Sequence, residues 1–324
     1  MKERSEIVRA AKEIRAGRLV AFPTETVYGL GADVFNSDAI ARIFEVKQRP
    51  HFDPLIVHVA TLNELRHLVR RVPAGLDEMI ARFWPGPLTM VFPKKEVVPD
   101  IVTAGLDSVA VRWPSHPIAL ELIRLAGTPV AAPSANLFGK LSPTTANHVR
   151  EQLGDSVDMI LDGGRCGVGI ESTIISFTGS HPILLRHGGY SREEIEEIVG
   201  PIECASSNDS APNAPGMLKK HYAPHTPVAF CDGYEGDDGR VGILSFRGVS
   251  ESRRYAAVEV LSADGDLREA AANLFTALRQ LDKANLDMIL VERVPDECLG
   301  RAINDRLERA CAAFLRDKSV RVEI

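Results

Sequence analysis

The stretch Val46–His58, VKQRPHFDPLIVH, crowds two cations, a proline and a histidine together before a second proline opens an apolar run. Lys47 and Arg49 fall at the C-terminal end of a helical pattern, where cations are mildly favoured by the helix dipole. That accounts for the charges but not for His58, which sits within an apolar strand pattern four residues after Pro54. A lone strand histidine is more often a satisfied core residue; the joint pattern favours an anion site.

Three further stretches place polar groups where strand patterns end. In FPTETVYGLG, Phe22 to Gly31, the hydroxyls of Thr24 and Thr26 follow Pro23. Such hydroxyls can orient a small polar ligand, and the glycines permit close backbone approach; a Thr-capped turn would use the same residues. In APSANLFGKLSPTTANHV, a strand runs into Ser134 and Asn136, and Ser142-Pro143 reads as a helix start. A strand, a hydroxyl loop and a helix N-terminus also make a phosphate cradle, although no Walker A pattern is present. In GVGIESTIISF, Ser172 and Thr173 enter a strand just after Glu171. Arg112 in VAVRWP and Arg186 in LLRHG stand within strand patterns, where an arginine normally answers an anion or a structural acid.

Other chemistries find no support. The five cysteines, Cys166, Cys204, Cys231, Cys298 and Cys311, form no C-x-x-C pair, so neither a zinc site nor a disulfide framework is implied. A net charge of -6 argues against a protein that grips a long nucleic acid, without excluding a local basic cleft for a small anion. The N-terminal MKERSEIVRAAKEIRAGRL is charged and helical in pattern, unlike a signal peptide. No run of about 18 apolar residues suggests a membrane span. The expected compartment is the cytoplasm.

A chain of 324 residues predicts two domains. From Met1 to about Gly200 helix and strand patterns interleave, predicting an α/β domain with one large, twisted, mixed sheet. Residues 201–226 open as PIECASSNDSAPNAPG, which reads as a linker, yet they then pack Lys219, Lys220, His221, Tyr222 and His225 between prolines. Residues 227–324 alternate strands and helices, predicting a smaller Rossmann-like α/β domain; G-x-G-x-x-G is absent, so nucleotide binding there has no sequence support.

FPTETVYGLG, KQRP followed by DPLIVHV, VRWP, APSAN, SPTT, GIESTI and LLRHG occur in one order along the chain. Together they resemble the YrdC-like L-threonylcarbamoyladenylate synthases over roughly residues 6–200, and PGMLKKHYAPHTPV with the C-terminal domain resembles the longer, two-domain form. The resemblance implies synthesis of threonylcarbamoyl-AMP and pyrophosphate from L-threonine, bicarbonate or CO2, and ATP. Mg2+ would arrive with ATP, and no organic cofactor is implied. The product would pass to a tRNA threonylcarbamoyltransferase complex that modifies adenosine 37 of tRNAs reading ANN codons, with no membrane association and no strong direct nucleic-acid binding. It assigns L-threonine to Thr26, His58, Arg112, Ala132 and Ser172. ATP would be held by Lys47, Arg49, Asp53, Ser108, Ser134, Asn136, Ser142 and Arg186, with Tyr222 closing over it. Asp53 stands where the family usually has Asn, so its carboxylate would repel a triphosphate unless Mg2+ or Lys47 offsets it. No covalent nucleophile is required. Two alternatives remain: synthesis of another carbamoyl adenylate, as in the hydrogenase-maturation carbamoyltransferases, and an RNA-binding module.

Overall fold

Caps and apolar stripes delimit the helices. The computed structural model describes residues 2–314 apart from 74, 206–217, 219, 233, 235–238 and 250–254. Helices α1 (Lys2–Arg15), α2 (Ser37–Lys47), α3 (Leu62–Leu68), α4 (Asp77–Phe83) and α5 (Asp100–Thr103) lie in the first half of the N-terminal unit. They are followed by α6 (Pro117–Ala126), α7 (Ala146–Leu153), α8 (Arg192–Val199), α9 (Leu267–Asp282) and α10 (Gly300–Ala312). Asn36 caps α2 as expected, its side chain accepting from the Ala39 amide at 3.0 Å. Ser191 and Glu194 form a reciprocal capping box on α8.

The strands of the first unit are β1 (Val20–Phe22), β2 (Gly29–Asp33), β3 (Ile56–His58), β4 (Leu88–Pro93), β5 (Ser108–Arg112), β6 (Val130–Ala131), β7 (Met159–Ile160), β8 (Thr173–Ser176), β9 (Ile183–Arg186) and β10 (Glu203–Cys204). Among the described residues they form one mixed sheet in the order β10-β9-β8-β4-β5-β3-β6-β2-β1-β7. β3 and β5 run parallel at its centre, flanked by antiparallel β4 and β6. One face packs on a core that includes Phe44, Met79, Phe83, Trp84, Met90 and Phe92. Near β1 and β6 a second core forms where α1 and α6 bury Ile7, Ile14, Leu122 and Ile123.

β11 (Val228–Phe230), β12 (Val241–Ser245), β13 (Ala257–Val260) and β14 (Met288–Val291) make a second, all-parallel sheet in the order β11-β14-β12-β13, with α9 and α10 as its helices. This matches the Rossmann-like expectation. Its core is not self-contained: Val27, Leu141 and Ile170 of the first unit join Leu274, Phe275, Ile303 and Leu307 in one apolar cluster.

One local expectation is corrected. Ser142-Pro143 does not open a helix, because α7 starts at Ala146 with Thr145 as its cap. Ser142 instead gives its hydroxyl to Glu171, and the Pro143 carbonyl accepts from the Tyr28 amide at 2.8 Å, so this segment is tied to the residue just before β2. The Thr24 hydroxyl accepts from the amides of Thr26 and Val27, both at 3.2 Å, so a threonine-capped turn does form, and the GLG that follows opens β2; a Cβ at Gly31 would lie 2.7 Å from the Phe22 ring and 2.8 Å from Val130. The linker expectation falls partly on residues 206–217 and 219, outside those described.

The two units meet without room to spare at Gly169. Its φ is +77° and an added Cβ would sit 2.4 Å from Ala272 Cα in α9. Gly169→Ala is expected to cost about 2–4 kcal/mol, combining left-handed backbone strain with overpacking. A thermal midpoint equal to that of the unmodified chain would show that the contact is not made.

Candidate active site

Register builds one wall of the site. Thr89 of β4 pairs with Arg112 of β5, Arg112 with His58 of β3, and His58 with Val130 of β6, so these positions form a row across the centre of the sheet. The Ser172 hydroxyl lies 2.7 Å from that of Thr89, bringing the start of β8 into the row. A single cavity at these strand ends is lined by Thr26, His58, Arg112, Ala132 and Ser172, together with Arg49, Ser134, Arg186 and Tyr222. Residues from seven separated sequence stretches thus line one cavity.

At the row itself, Arg112 is 4% exposed and points its fork at the FPTET turn. Nη1 donates to the Thr26 hydroxyl at 2.8 Å, and Nη2 to Glu25 Oε1 at 2.7 Å. Nε reaches the Gly86 carbonyl at 3.4 Å, a marginal contact. A guanidinium has five N–H donors, so among the described residues one remains on each terminal nitrogen for a bound anion. Glu25 was not singled out in the sequence; an acid between two threonines beside a strand end was the available signal. Beside Arg112, His58 is buried against the Phe22 ring edge, and its Nδ1 has no hydrogen-bond partner among the described residues. Burial, reinforced by the Arg112 charge, pulls the His58 imidazole down to about 3. It is neutral at ordinary pH.

The other half of the site is a cation cluster. Lys47 is 1% exposed and donates from Nζ to the carbonyls of Ser134 and Asn136, both at 2.5 Å. Burial, with the nearby Arg49 charge, holds its ammonium well below the ordinary lysine range. Arg49 donates to the carbonyls of Asp53 at 3.1 Å and Pro54 at 2.8 Å and pairs with the Asp53 carboxylate at 2.9 Å. Asp53 therefore faces Arg49, with burial raising its carboxyl despite that partner. Arg186 donates to the Ser172 carbonyl from Nε at 3.1 Å and Nη2 at 2.9 Å.

Five expected residues, Lys47, Asp53, Ser108, Asn136 and Ser142, are not among those lining the cavity. Asn136 turns its amide to the carbonyls of Leu137 at 2.7 Å and Lys140 at 3.0 Å, shaping the loop whose backbone Lys47 holds. Ser142 donates to Glu171 Oε1 at 2.5 Å. Ser108 opens β5 four residues before Arg112 and is not among the cavity-lining residues. Thr24, Glu171 and His221 line the cavity without having been assigned a role; Glu171 sat in plain view within GIEST.

Tyr222 comes from beyond the first unit. It is 1% exposed with φ +58°, a left-handed conformation uncommon for an aromatic residue. Its ring packs 5.6 Å from Phe275 of α9, centroid to centroid. The neighbouring Ala223 amide donates to the Gly139 carbonyl at 2.8 Å, while the amides of His225 and Thr226 donate to Asp282. The segment is pinned to both units, which puts Tyr222 and His221 in the cavity wall. Burial keeps the Tyr222 phenol protonated, pushed up to about 12.

A family model named for Sua5, YciO and YrdC, described as telomere recombination, matches residues 12–188. A second, described as threonylcarbamoyl-AMP synthase, C-terminal domain, matches residues 190–312. A threonylcarbamoyl-AMP synthase of Pyrococcus abyssi is 45% identical, covering 93% of this chain and 92% of the relative. One of Bacillus subtilis is 44% identical, covering 94% and 92%. The crystal structure of P. abyssi Sua5 complexed with L-threonine aligns with a TM-score of 0.90 at 42% identity, covering 96% of this chain and 95% of that one.

The neutral His58 has a measurable consequence. Its folded-state pKa, about 3, lies below the ordinary 6.5, so the unfolded chain binds a proton that the folded chain refuses. Stability attributable to this site is full above pH 6.5 and is lost as pH falls toward 3, by roughly 2 kcal/mol at pH 5. His58→Gln is expected to flatten the decline of the thermal midpoint between pH 7 and pH 5, measured without ligand. An identical decline in both proteins would mean that His58 is protonated in the folded state.

Proposed function

Because the chain belongs to the Sua5–YciO–YrdC family and carries the C-terminal domain of the threonylcarbamoyl-AMP synthases, we propose that it joins L-threonine, a carbon from bicarbonate or CO2, and ATP into threonylcarbamoyl-AMP, releasing pyrophosphate. The observation that carries this reading is the division of one cavity into two halves. An arginine fork beside a neutral histidine lies on one side, and a group of buried cations on the other.

On this reading the two open N–H groups of Arg112 take the threonine carboxylate as a fork. Thr26 and Ser172 offer hydroxyls, and Ala132 offers backbone. An uncharged His58 does not repel the amino group, and its Nδ1 is an open hydrogen-bonding position. Lys47, Arg49 and Arg186 supply the field for the phosphates, with Ser134, Asn136 and Ser142 shaping the loop around them. Tyr222 covers the nucleotide. Asp53 serves the site by fixing Arg49, and Ser108 sits at the far edge of this assignment.

The neutral amine of threonine adds to CO2, one C=O bond opening as the N–C bond forms, and the nitrogen passes a proton to solvent to leave a carbamate. A carbamate oxygen then bonds to the α-phosphorus as the bond from that phosphorus to the pyrophosphate oxygen breaks. Positioning and charge neutralisation suffice, and no residue must become covalently attached. Mg2+ would be carried by ATP itself. When bound it would neutralise phosphate charge. No described helix is long and apolar enough to cross a membrane. We place the enzyme in the cytoplasm, handing its product to a tRNA threonylcarbamoyltransferase, without itself gripping the tRNA tightly.

Pyrophosphate release from ATP is expected only with both L-threonine and bicarbonate. Arg112→Ala should lower it at least a hundredfold at limiting threonine, since the loss removes a charge-assisted fork worth about 3 kcal/mol. Release indifferent to threonine would point to another carbamoyl adenylate. ATP-independent, salt-sensitive RNA binding with no release would favour the RNA-binding alternative.

A further inference from the structure

Two arginines of the C-terminal unit reach the wall of the first-unit cavity. Arg306 of α10 has a fully buried side chain and donates from Nε and Nη2 to Glu171 Oε2, both at 3.1 Å. Its Nη1 donates to the His187 carbonyl at 2.6 Å and to Asp305 at 3.1 Å. The other oxygen of Glu171 accepts the Ser142 hydroxyl. From α9, Arg279 donates to the carbonyls of Leu141 at 2.6 Å and Ser142 at 3.3 Å. Ser142 is thereby held from both sides, its backbone by Arg279 and its hydroxyl through Glu171 by Arg306.

Resting on the reading above, we propose that Arg306 is a positioning residue for the nucleotide half of the site, acting through Glu171 on Ser142 and through His187 on the loop after Arg186. A buried carboxylate is stable only when paired and hydrogen-bonded. The Arg306 fork meets that need and also fixes the rotation of Glu171, since two N–H groups converge on one oxygen and leave the other for Ser142. A lysine could supply the charge but not the fork. The guanidinium also lies 5.4 Å from the centre of the Tyr222 ring, so the same side chain braces the segment over the nucleotide. The C-terminal unit thus sets site geometry without lining the cavity with Arg306 itself.

The test uses the full chain and four variants, Arg306→Met, Arg306→Lys, Ser142→Ala and the double Arg306→Met/Ser142→Ala. ATP affinity is measured by calorimetry, and the KM values for ATP and threonine by pyrophosphate release. Arg306→Met is expected to weaken ATP at least about tenfold while the threonine KM stays within about threefold. Arg306→Lys should recover only part of that loss. The double variant should be no more than about twofold worse than the worse single one, because both changes cut one route. Unchanged ATP affinity in Arg306→Met, full recovery with lysine, or losses that multiply in the double variant would each overturn the proposal. Should Arg306→Met fail to fold, Glu171→Gln combined with Ser142→Ala carries the same cycle, with multiplying losses again overturning it. An unmodified chain that binds ATP and shows the coupling, yet releases no threonine-dependent pyrophosphate, would sink the proposed function and leave the positioning role standing. An unmodified chain that does not bind ATP would overturn both.

Discussion

Everything in this site depends on holding basic side chains where little water reaches them. Lys47, Arg49, Arg112 and Arg186 are each no more than 7% exposed, and desolvating an ion costs several kcal/mol even after relaxation. A chain can meet that cost by burying an equal number of carboxylates, but the cavity would then be neutral and useless to an anion. Here much of the compensation comes from backbone carbonyls. Ser134 and Asn136 cap Lys47, Asp53 and Pro54 cap Arg49, and Ser172 caps Arg186. A carbonyl satisfies a donor with a dipole and leaves the net charge in place. Carboxylates enter selectively, with Asp53 on Arg49 and Glu25 on Arg112.

That solution explains why the site lies where strands end. Within a sheet, carbonyls are committed to the ladder; at the ends and in the following loops they are available to point at a side chain. The mixed topology supplies several such ends close together, since β3 and β5 run parallel and β8 runs parallel to β4. The same crowding makes His58 neutral. A second positive charge beside Arg112, buried and without a carboxylate partner, would add repulsion to desolvation.

Legibility in the sequence followed distance along the chain. The cations of KQRP, the strand histidine and the strand arginines could be read locally, because each breaks the pattern of its own element. So could the mixed and Rossmann-like sheets, from periodicity and punctuation. What could not be read were partners far away in the chain. Ser142 looked like a helix cap because Ser-Pro is common there, and nothing nearby discloses that Glu171, 29 residues on, takes its hydroxyl. Glu171 is answered by Arg306, 135 residues further still, inside what reads as an ordinary amphipathic helix. The strand that starts at Gly29 was missed for another reason: glycine is a poor strand former, chosen at Gly31 because Phe22 and Val130 occupy the space a side chain would need.

Among the described residues the second unit places no charged side chain in the cavity lining, yet its apolar core is shared with Val27, Leu141 and Ile170. Those three residues lie immediately beside Thr26, Ser142 and Glu171 in sequence. Any displacement of the C-terminal unit would therefore drag the backbone of the site with it. The left-handed Tyr222 fits the same logic. Such a conformation costs on the order of 1 kcal/mol or more and persists only where surroundings over-determine it. Here Gly139 holds one side, Asp282 the other, and Phe275 the ring. The strain is sustained by contacts to both units at once, which ties the completion of the cavity wall to the packing between the units.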